Sequence, residues 1–166
     1  MTADNPEGVG ARALFAADLC VPRLEAKSAE EAIRAMARLL AEKGHVLPSF
    51  ENAAVQREKR SPTGLPFPDA PVALPHAEPE HVARAAVAVA LLASPVRFRQ
   101  MGSPAVQLDA KIVVMPALTA KDQAAAGLSA LLELLQDHAL RGALLAATTP
   151  DAMLAAIAGT NAPKGG

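Results

Sequence analysis

The sequence predicts an α/β fold in which helices cover a mostly buried sheet. Two continuous apolar runs, residues 87–92 and 110–115, are typical of strands buried on both faces. Segments with apolar residues at helical spacing lie on either side of these runs. Hydrophobic residues make up 51% of the 166 residues, enough for the core of one ordinary domain. We therefore expect one domain over residues 11–160, between flexible tails at 1–10 and 161–166.

The first half of the chain predicts one strand, two helices and a loop. Residues 14–21 are mostly apolar and predict the first strand. Ser28 and Glu31 have the spacing of a capping box, and Gly44 ends the helix that they open. A second helix is expected from about residue 49 to 59. Four prolines and a glycine indicate a loop over residues 61–71.

The second half continues the alternation of strands and helices. A short strand at 72–74 precedes the two buried runs. Residues 122–135 predict a helix with leucines on one face, and 137–147 predict a shorter one. Thr149 and Pro150 have the pattern that opens a last helix.

The composition excludes several classes of function. The net charge of −1 argues against nucleic acid or an anionic membrane as the main partner. No apolar run reaches the ~20 residues of a membrane span, and the N-terminus lacks a signal-peptide pattern. We therefore expect a cytoplasmic protein without direct membrane insertion. The single cysteine, Cys20, is expected to be a small buried hydrophobe rather than a catalytic thiol.

His76 is the main candidate for chemistry. It follows Pro75 at the end of the short predicted strand, and proline fixes the backbone beside it. Histidine is the side chain best suited to accept and pass on a group near neutral pH. The residues alone are equally compatible with an ordinary, partly buried histidine.

Four segments stand in a distinctive order and spacing: REKRSPTGL at 57–65, VALPH at 72–76, VAVALL at 87–92, and PVRF at 95–98 with Met101-Gly102. Together they resemble the enzyme IIA component, fructose/mannitol type (type 2), of the bacterial phosphoenolpyruvate-dependent sugar phosphotransferase system. PTGL, HAEPEHV and Met101-Gly102 are most similar to its galactitol-specific branch. The resemblance covers about residues 14–157. It implies a mixed sheet of about five strands sandwiched between helices, the phosphotransferase/anion-transport-protein-like fold.

The resemblance also implies a phosphocarrier function. His76 would accept phosphoryl from the histidine phosphocarrier protein and pass it to a cysteine on enzyme IIB. Enzyme IIB would then phosphorylate galactitol or a related sugar alcohol entering through the membrane enzyme IIC. No cofactor is expected, and the sequence contains no G-x-x-x-x-G-K-[ST] or G-x-G-x-x-G motif of the kind that binds nucleotides.

Phosphoryl transfer depends mostly on positioning and on stabilisation of charge. Arg57 falls where the family carries an arginine near its phosphohistidine, although a solvated charge at a helix end is the plainer interpretation. The hydroxyls of Ser61 and Thr63 and the amide of Gly64 are candidate donors to phosphoryl oxygens, or they support the residues that contact the phosphoryl group. The two hydroxyls are equally explained as ordinary turn residues.

Two further positions concern the surroundings of His76. His81 is expected to support it or to contact a partner rather than to bind metal, because no helical i, i+4 histidine pair or cysteine cluster accompanies it. Many family members carry a second histidine at the start of the helix predicted at 122–135. The matching position here is Ala124, and Gln123 is the candidate replacement.

Two rival functions remain open. The chain could be a regulatory module of the nitrogen-regulatory type, whose phosphorylation state a partner protein reads. It could also be a stand-alone binding protein whose His76 is never phosphorylated.

Overall fold

The structure, a computed structural model, describes residues 11–159, without the side chains of Lys121 and Asp122. The tails predicted at 1–10 and 161–166 lie outside the described residues.

Five strands form one mixed sheet around a long hairpin, which confirms the predicted fold class. Strands β4 (Ala86–Gln100) and β5 (Ser103–Ala117) pair antiparallel. Strand β1 (Phe15–Leu24) runs parallel to β4, and β3 (Val72–Ala73) runs parallel to β5 on the other side. Strand β2 (Gly64–Leu65) pairs antiparallel with β3. Because β3 and β5 are parallel, their carboxyl ends lie at the same edge of the sheet, where binding sites of α/β proteins are commonly found.

Helices cover both faces of the sheet. The element bounds are α1 (Ala29–Glu42) and α2 (Ser49–Arg60) on one face, and α3 (Lys121–Leu135), α4 (His138–Ala146) and α5 (Pro150–Gly159) on the other. A three-residue 3-10 helix, Pro79–His81, follows β3. Side chains of a strand alternate between faces. On β4 the alanines at 86, 88 and 90 therefore lie under α1 and α2, while larger residues at 87, 89 and 91 face the other helices.

The ends of α1 follow the sequence pattern with one difference. The Ser28 hydroxyl accepts from the Glu31 amide at 3.1 Å, as predicted. The Glu31 carboxylate reaches back to the amide of Lys27 at 2.8 Å, one residue further than a capping box requires. Gly44 follows the helix with φ of +82°, a conformation that side-chain-bearing residues rarely adopt, so its role at the helix end is confirmed.

Two sequence predictions differ from the structure, one in the type of element and one in its length. The segment 61–71 contains β2 rather than loop alone. The buried runs at 87–92 and 110–115 belong to strands of 15 residues each. In the outer half of β4, Val96 and Phe98 are buried while Arg97 is exposed, so this half has one apolar face instead of two. Its pattern is the period-2 alternation of a half-buried strand.

Cys20 is buried, as expected for a small hydrophobe. Burial, with Asp18 and Asp151 nearby, raises the pKa of its thiol to about 11, so the thiol stays protonated at neutral pH. Within residues 11–159, no helix is both long enough and apolar enough to cross a membrane.

Candidate functional site

His76 lies just beyond the carboxyl end of β3, after Leu74 and Pro75. Its Nδ1 is 2.8 Å from the carbonyl oxygen of Leu74. A carbonyl can only accept a hydrogen bond, so Nδ1 carries the proton in the neutral ring. The lone pair then belongs to Nε2, a buried atom with no hydrogen-bond partner among the described residues.

A small cavity of about 50 Å³ adjoins His76. Three separate parts of the chain form it: the last turns of α2, the segment after β3, and the region from the end of β5 into α3. The lining residues are Arg57, His76, Ala77, Glu78, Pro79, Pro116, Leu118, Ala124 and Leu128. The cavity is thus mostly apolar, with one imidazole, one guanidinium and one carboxylate.

The surroundings of His76 lower its pKa below the ordinary value of 6.5. Burial is the largest cause, because it disfavours the charged ring, and the Arg57 cation acts in the same direction. The Leu74 hydrogen bond and the Glu78 carboxylate oppose this shift. The ring is therefore neutral at pH 7, with Nε2 available as a nucleophile.

Arg57 is held beside His76 by an ion pair. Its Nε lies 3.3 Å from a Glu78 carboxylate oxygen, without the alignment of a hydrogen bond. The Glu78 side chain is about half exposed, at 53%. The guanidinium has donors to spare for a second anion entering the cavity.

Thr63 lies behind His76 rather than in the cavity. Its hydroxyl donates to the Glu58 carboxylate at 2.7 Å and accepts from the Leu74 amide at 3.1 Å. The Thr63 amide donates to the other Glu58 oxygen at 3.0 Å. Because the hydroxyl proton is already donated within the protein, the expectation that Thr63 donates to phosphoryl is corrected.

Ser61 and Gly64 also lie outside the cavity lining of the described residues. Ser61 is exposed at the end of α2, where its amide donates to the Arg57 carbonyl at 2.7 Å. Gly64 is buried in β2, and a Cβ added there would lie 2.6 Å from the carbonyl oxygen of Arg99. Glycine is therefore required at this position by close packing of backbones.

His81 and Gln123 are not brought to His76 either. The Nδ1 of His81 is 2.8 Å from the Ser49 hydroxyl, so His81 ties the 3-10 helix to the start of α2. Gln123 is exposed on α3, whereas its neighbour Ala124 lines the cavity. Ala124 thus occupies the place that the resemblance gives to a second histidine. Residues 11–159 contain no group of three His, Cys, Asp or Glu side chains placed to hold a metal ion.

Asp69 stabilises the loop before β3 rather than the position of His76. One of its carboxylate oxygens accepts from Nη2 and Nε of Arg141 on α4, at 2.8 and 3.3 Å. This hydrogen bonding lowers the pKa of Asp69. Arg141 is buried, and its guanidinium lies 4.2 Å from the centre of the Phe67 ring. The loop is therefore anchored to α4.

Sequence reasoning missed Glu58, the buried carboxylate behind the site. A usable signal existed: Phe50, Ala54 and Glu58 are spaced four apart on α2, so Glu58 extends the buried face of the helix. A carboxylate at such a position needs hydrogen-bond partners. The partner of Glu58 is Thr63, which is connected to His76 through Leu74.

Residues 13–159 match the family described as phosphoenolpyruvate-dependent sugar phosphotransferase system, EIIA 2. The chain belongs to this family. Enzyme IIA domains of this family are phosphotransferase relay components.

A curated relative is the PTS system 2-O-alpha-mannosyl-D-glycerate-specific EIIABC component of Escherichia coli K12, 35% identical over 135 residues. The match covers 78% of this chain but only 20% of that protein, so the chain spans about one fifth of the relative's length.

Solved structures share the fold. The complex of enzyme IIAMTL and phosphorylated enzyme IIBMTL from Escherichia coli gives a TM-score of 0.71 at 25% identity, covering 88% of this chain and 99% of that one. The crystal structure of IIA mannitol from the same organism gives 0.69 at 25%, covering 86% and 97%. Nitrogen regulatory protein IIA-Ntr from Neisseria meningitidis gives 0.69 at 19%, covering 88% and 97%, a likeness of fold alone.

Proposed function

We propose that His76 accepts a phosphoryl group on Nε2 from the histidine phosphocarrier protein and passes it to enzyme IIB in the cytoplasm. The observation that carries this proposal is the hydrogen bond from Nδ1 to the Leu74 carbonyl. It leaves the Nε2 lone pair free, next to a cavity that also contains Arg57.

In the accepting step the Nε2 lone pair attacks phosphorus, and the bond from phosphorus to the donor imidazole breaks. The donor ring leaves with that electron pair. The His76 ring becomes cationic, and Nδ1 keeps its proton, which it donates in a hydrogen bond to the Leu74 carbonyl. In the donating step a thiolate of enzyme IIB attacks the same phosphorus, and Nε2 recovers its lone pair.

Arg57 is the residue we assign to the phosphoryl oxygens. Transfer spreads negative charge over three oxygens, and a fixed cation beside them stabilises it. The Glu78 carboxylate lies 3.3 Å from Arg57 Nε. When the phosphoryl group arrives, Arg57 can contact it while Glu78 moves into solvent.

For the sugar, we propose galactitol or a related sugar alcohol, with a membrane enzyme IIC as the entry route. This rests on the PTGL, HAEPEHV and Met101-Gly102 segments. The phosphorylated protein should donate faster to a galactitol enzyme IIB than to mannitol or mannosylglycerate counterparts. Faster transfer to either of the others would overturn the assignment of the sugar and leave the relay itself intact.

The direct test incubates the protein with labelled phosphoenolpyruvate, enzyme I and the histidine phosphocarrier protein. Wild type should acquire label, and His76→Ala should acquire none. His138→Ala is the matched control, because His138 is 80% exposed on α4 and does not line the cavity. Wild-type labelling of the His76→Ala protein would refute the proposal.

A regulatory role is the second candidate, and Ala124 in the cavity favours it. Without an imidazole there, phosphohistidine has one fewer group to orient it. Under this alternative the protein would accept phosphoryl but donate poorly to every enzyme IIB tested, and its phosphorylated form would bind a different protein.

A further inference from the structure

A buried carboxylate lies one residue beyond Arg57. Glu58 is 9% exposed, and it accepts the hydroxyl and the amide of Thr63 at 2.7 and 3.0 Å. Burial raises its pKa, while the two bonds from Thr63 act against that rise. Burying a carboxylate is costly even when it is hydrogen-bonded, so packing alone is a poor reason for its presence.

Glu58 decides which way the Thr63 hydroxyl points. A hydroxyl has one proton to donate and two lone pairs that accept. Since the proton goes to Glu58, the lone pairs are left to accept the Leu74 amide at 3.1 Å.

Leu74 is consequently held on both sides. Thr63 fixes its amide, and Pro75 restricts the backbone of the residue before it. The Leu74 carbonyl therefore has one direction, and its oxygen accepts the hydrogen bond from His76 Nδ1 at 2.8 Å.

We propose that Glu58 and Thr63 are positioning residues that act through Leu74 to keep His76 in the Nδ1–H tautomer, which leaves the lone pair on Nε2. The importance of this tautomer for phosphoryl transfer rests on the proposed function. The hydrogen-bond chain itself can be tested without it.

The first experiment measures the ring nitrogens of His76 by ¹⁵N NMR against pH in the unphosphorylated protein. Thr63→Val removes the hydroxyl with little change of shape, and Thr63→Ser keeps it. Glu58→Gln is the second test, because its side chain offers only one acceptor oxygen where the hydroxyl and the amide of Thr63 both donate. Arg57 and Glu78, the charged side chains beside His76, are kept in every variant.

Thr149→Val is the matched control. The Thr149 hydroxyl accepts from the Ala152 amide at 3.0 Å at the start of α5, away from the cavity. This variant should lose stability and leave His76 unchanged.

We expect Thr63→Val and Glu58→Gln to give more of the Nε2–H tautomer and a shifted titration of His76. Phosphoryl acceptance at saturating donor should fall about tenfold, the size of one lost hydrogen bond. Thr63→Ser should behave as wild type.

Wild-type tautomer and titration in both Thr63→Val and Glu58→Gln would overturn the proposal. If Thr63→Val does not fold, Glu58→Gln alone decides. A wild-type protein that accepts no phosphoryl would refute the proposed function instead, while the NMR result would still judge the positioning.

Discussion

At the scale of single residues, Arg57 should matter for transfer more than for stability. Arg57 lines the cavity and forms an ion pair with the half-exposed Glu78. Arg57→Ala should slow phosphoryl acceptance by about tenfold or more, because a charge-assisted contact is lost in the transition state. The free energy of unfolding should change by only about 0.5 kcal/mol.

Arg60→Ala is the control for this prediction. Arg60 carries the same charge in the same last turn of α2, but it is exposed and outside the cavity lining. Both substitutions should be compared by single-turnover labelling and by thermal melting. Equal transfer rates in the two variants would assign Arg57 a purely solvated role.

The depressed pKa of His76 sets a pH dependence. Acceptance should be constant near pH 7 and decline only below the ordinary histidine value of 6.5, because protonation removes the Nε2 lone pair. In Arg57→Ala the cation that helps to lower this pKa is gone, so the decline should begin at higher pH. Profiles of the acceptance rate against pH for the two proteins, each normalised to its maximum, would show this difference. A midpoint at or above 6.5 in wild type would contradict the account.

The same shift affects stability. Between the folded and unfolded pKa values the unfolded chain binds the proton and the native protein does not, so the free energy of unfolding rises with pH in this window. The contribution of His76 to the free energy of unfolding is complete above pH 6.5. It is lost as the pH falls through the pKa that His76 has in the folded protein. His76→Ala should remove this part of the slope.

At the scale of elements, the first turn of α3 contains the position that corresponds to the family's second histidine. Ala124 lines the cavity while Gln123 is exposed, so Ala124 is the position from which a side chain can reach His76. Ala124→His should change the lifetime of phosphohistidine or the rate of its transfer, because a second imidazole can hydrogen-bond and titrate near pH 7.

Gln123→Ala is the matched control and should leave both quantities unchanged. The transfer rate would be measured against pH for wild type, Ala124→His and Gln123→Ala. Identical profiles for wild type and Ala124→His would mean that the start of α3 takes no part in the chemistry.

The strands and helices show why part of the structure followed from the sequence. Local signals such as Ser28, Gly44 and the apolar runs specify elements through their own backbone, so they can be interpreted residue by residue. The outer half of β4 was missed because its alternation of Val96, Arg97 and Phe98 follows Ser94 and Pro95, which suggest a break.

The candidate functional site was likewise predicted from the sequence only in part. The position of His76 after Pro75 at a strand end made it a candidate, and the resemblance added Arg57; the fold brings both to one cavity. Thr63 was expected either to bind phosphoryl or to support the site from behind, because a sequence does not reveal which partner receives a hydroxyl proton. Only the fold places Glu58 of α2 against Thr63 and thereby turns that hydroxyl away from the cavity.

At the scale of the whole molecule, the site arises from the topology. Parallel β3 and β5 bring their carboxyl ends to one edge, where His76 follows β3 and Pro116 is the last residue but one of β5. The end of α2 supplies Arg57 from one face of the sheet, and the start of α3 supplies Ala124 from the other. The candidate nucleophile and a cation therefore line the same cavity.

The most direct test of the central claim identifies the phosphorylated atom. The ¹⁵N-labelled protein would be phosphorylated through enzyme I and the histidine phosphocarrier protein, and coupling between ³¹P and the ring nitrogens of His76 would be measured. We predict coupling to Nε2, with the proton retained on Nδ1. Coupling to Nδ1, or phosphoryl on any other residue, would contradict the account.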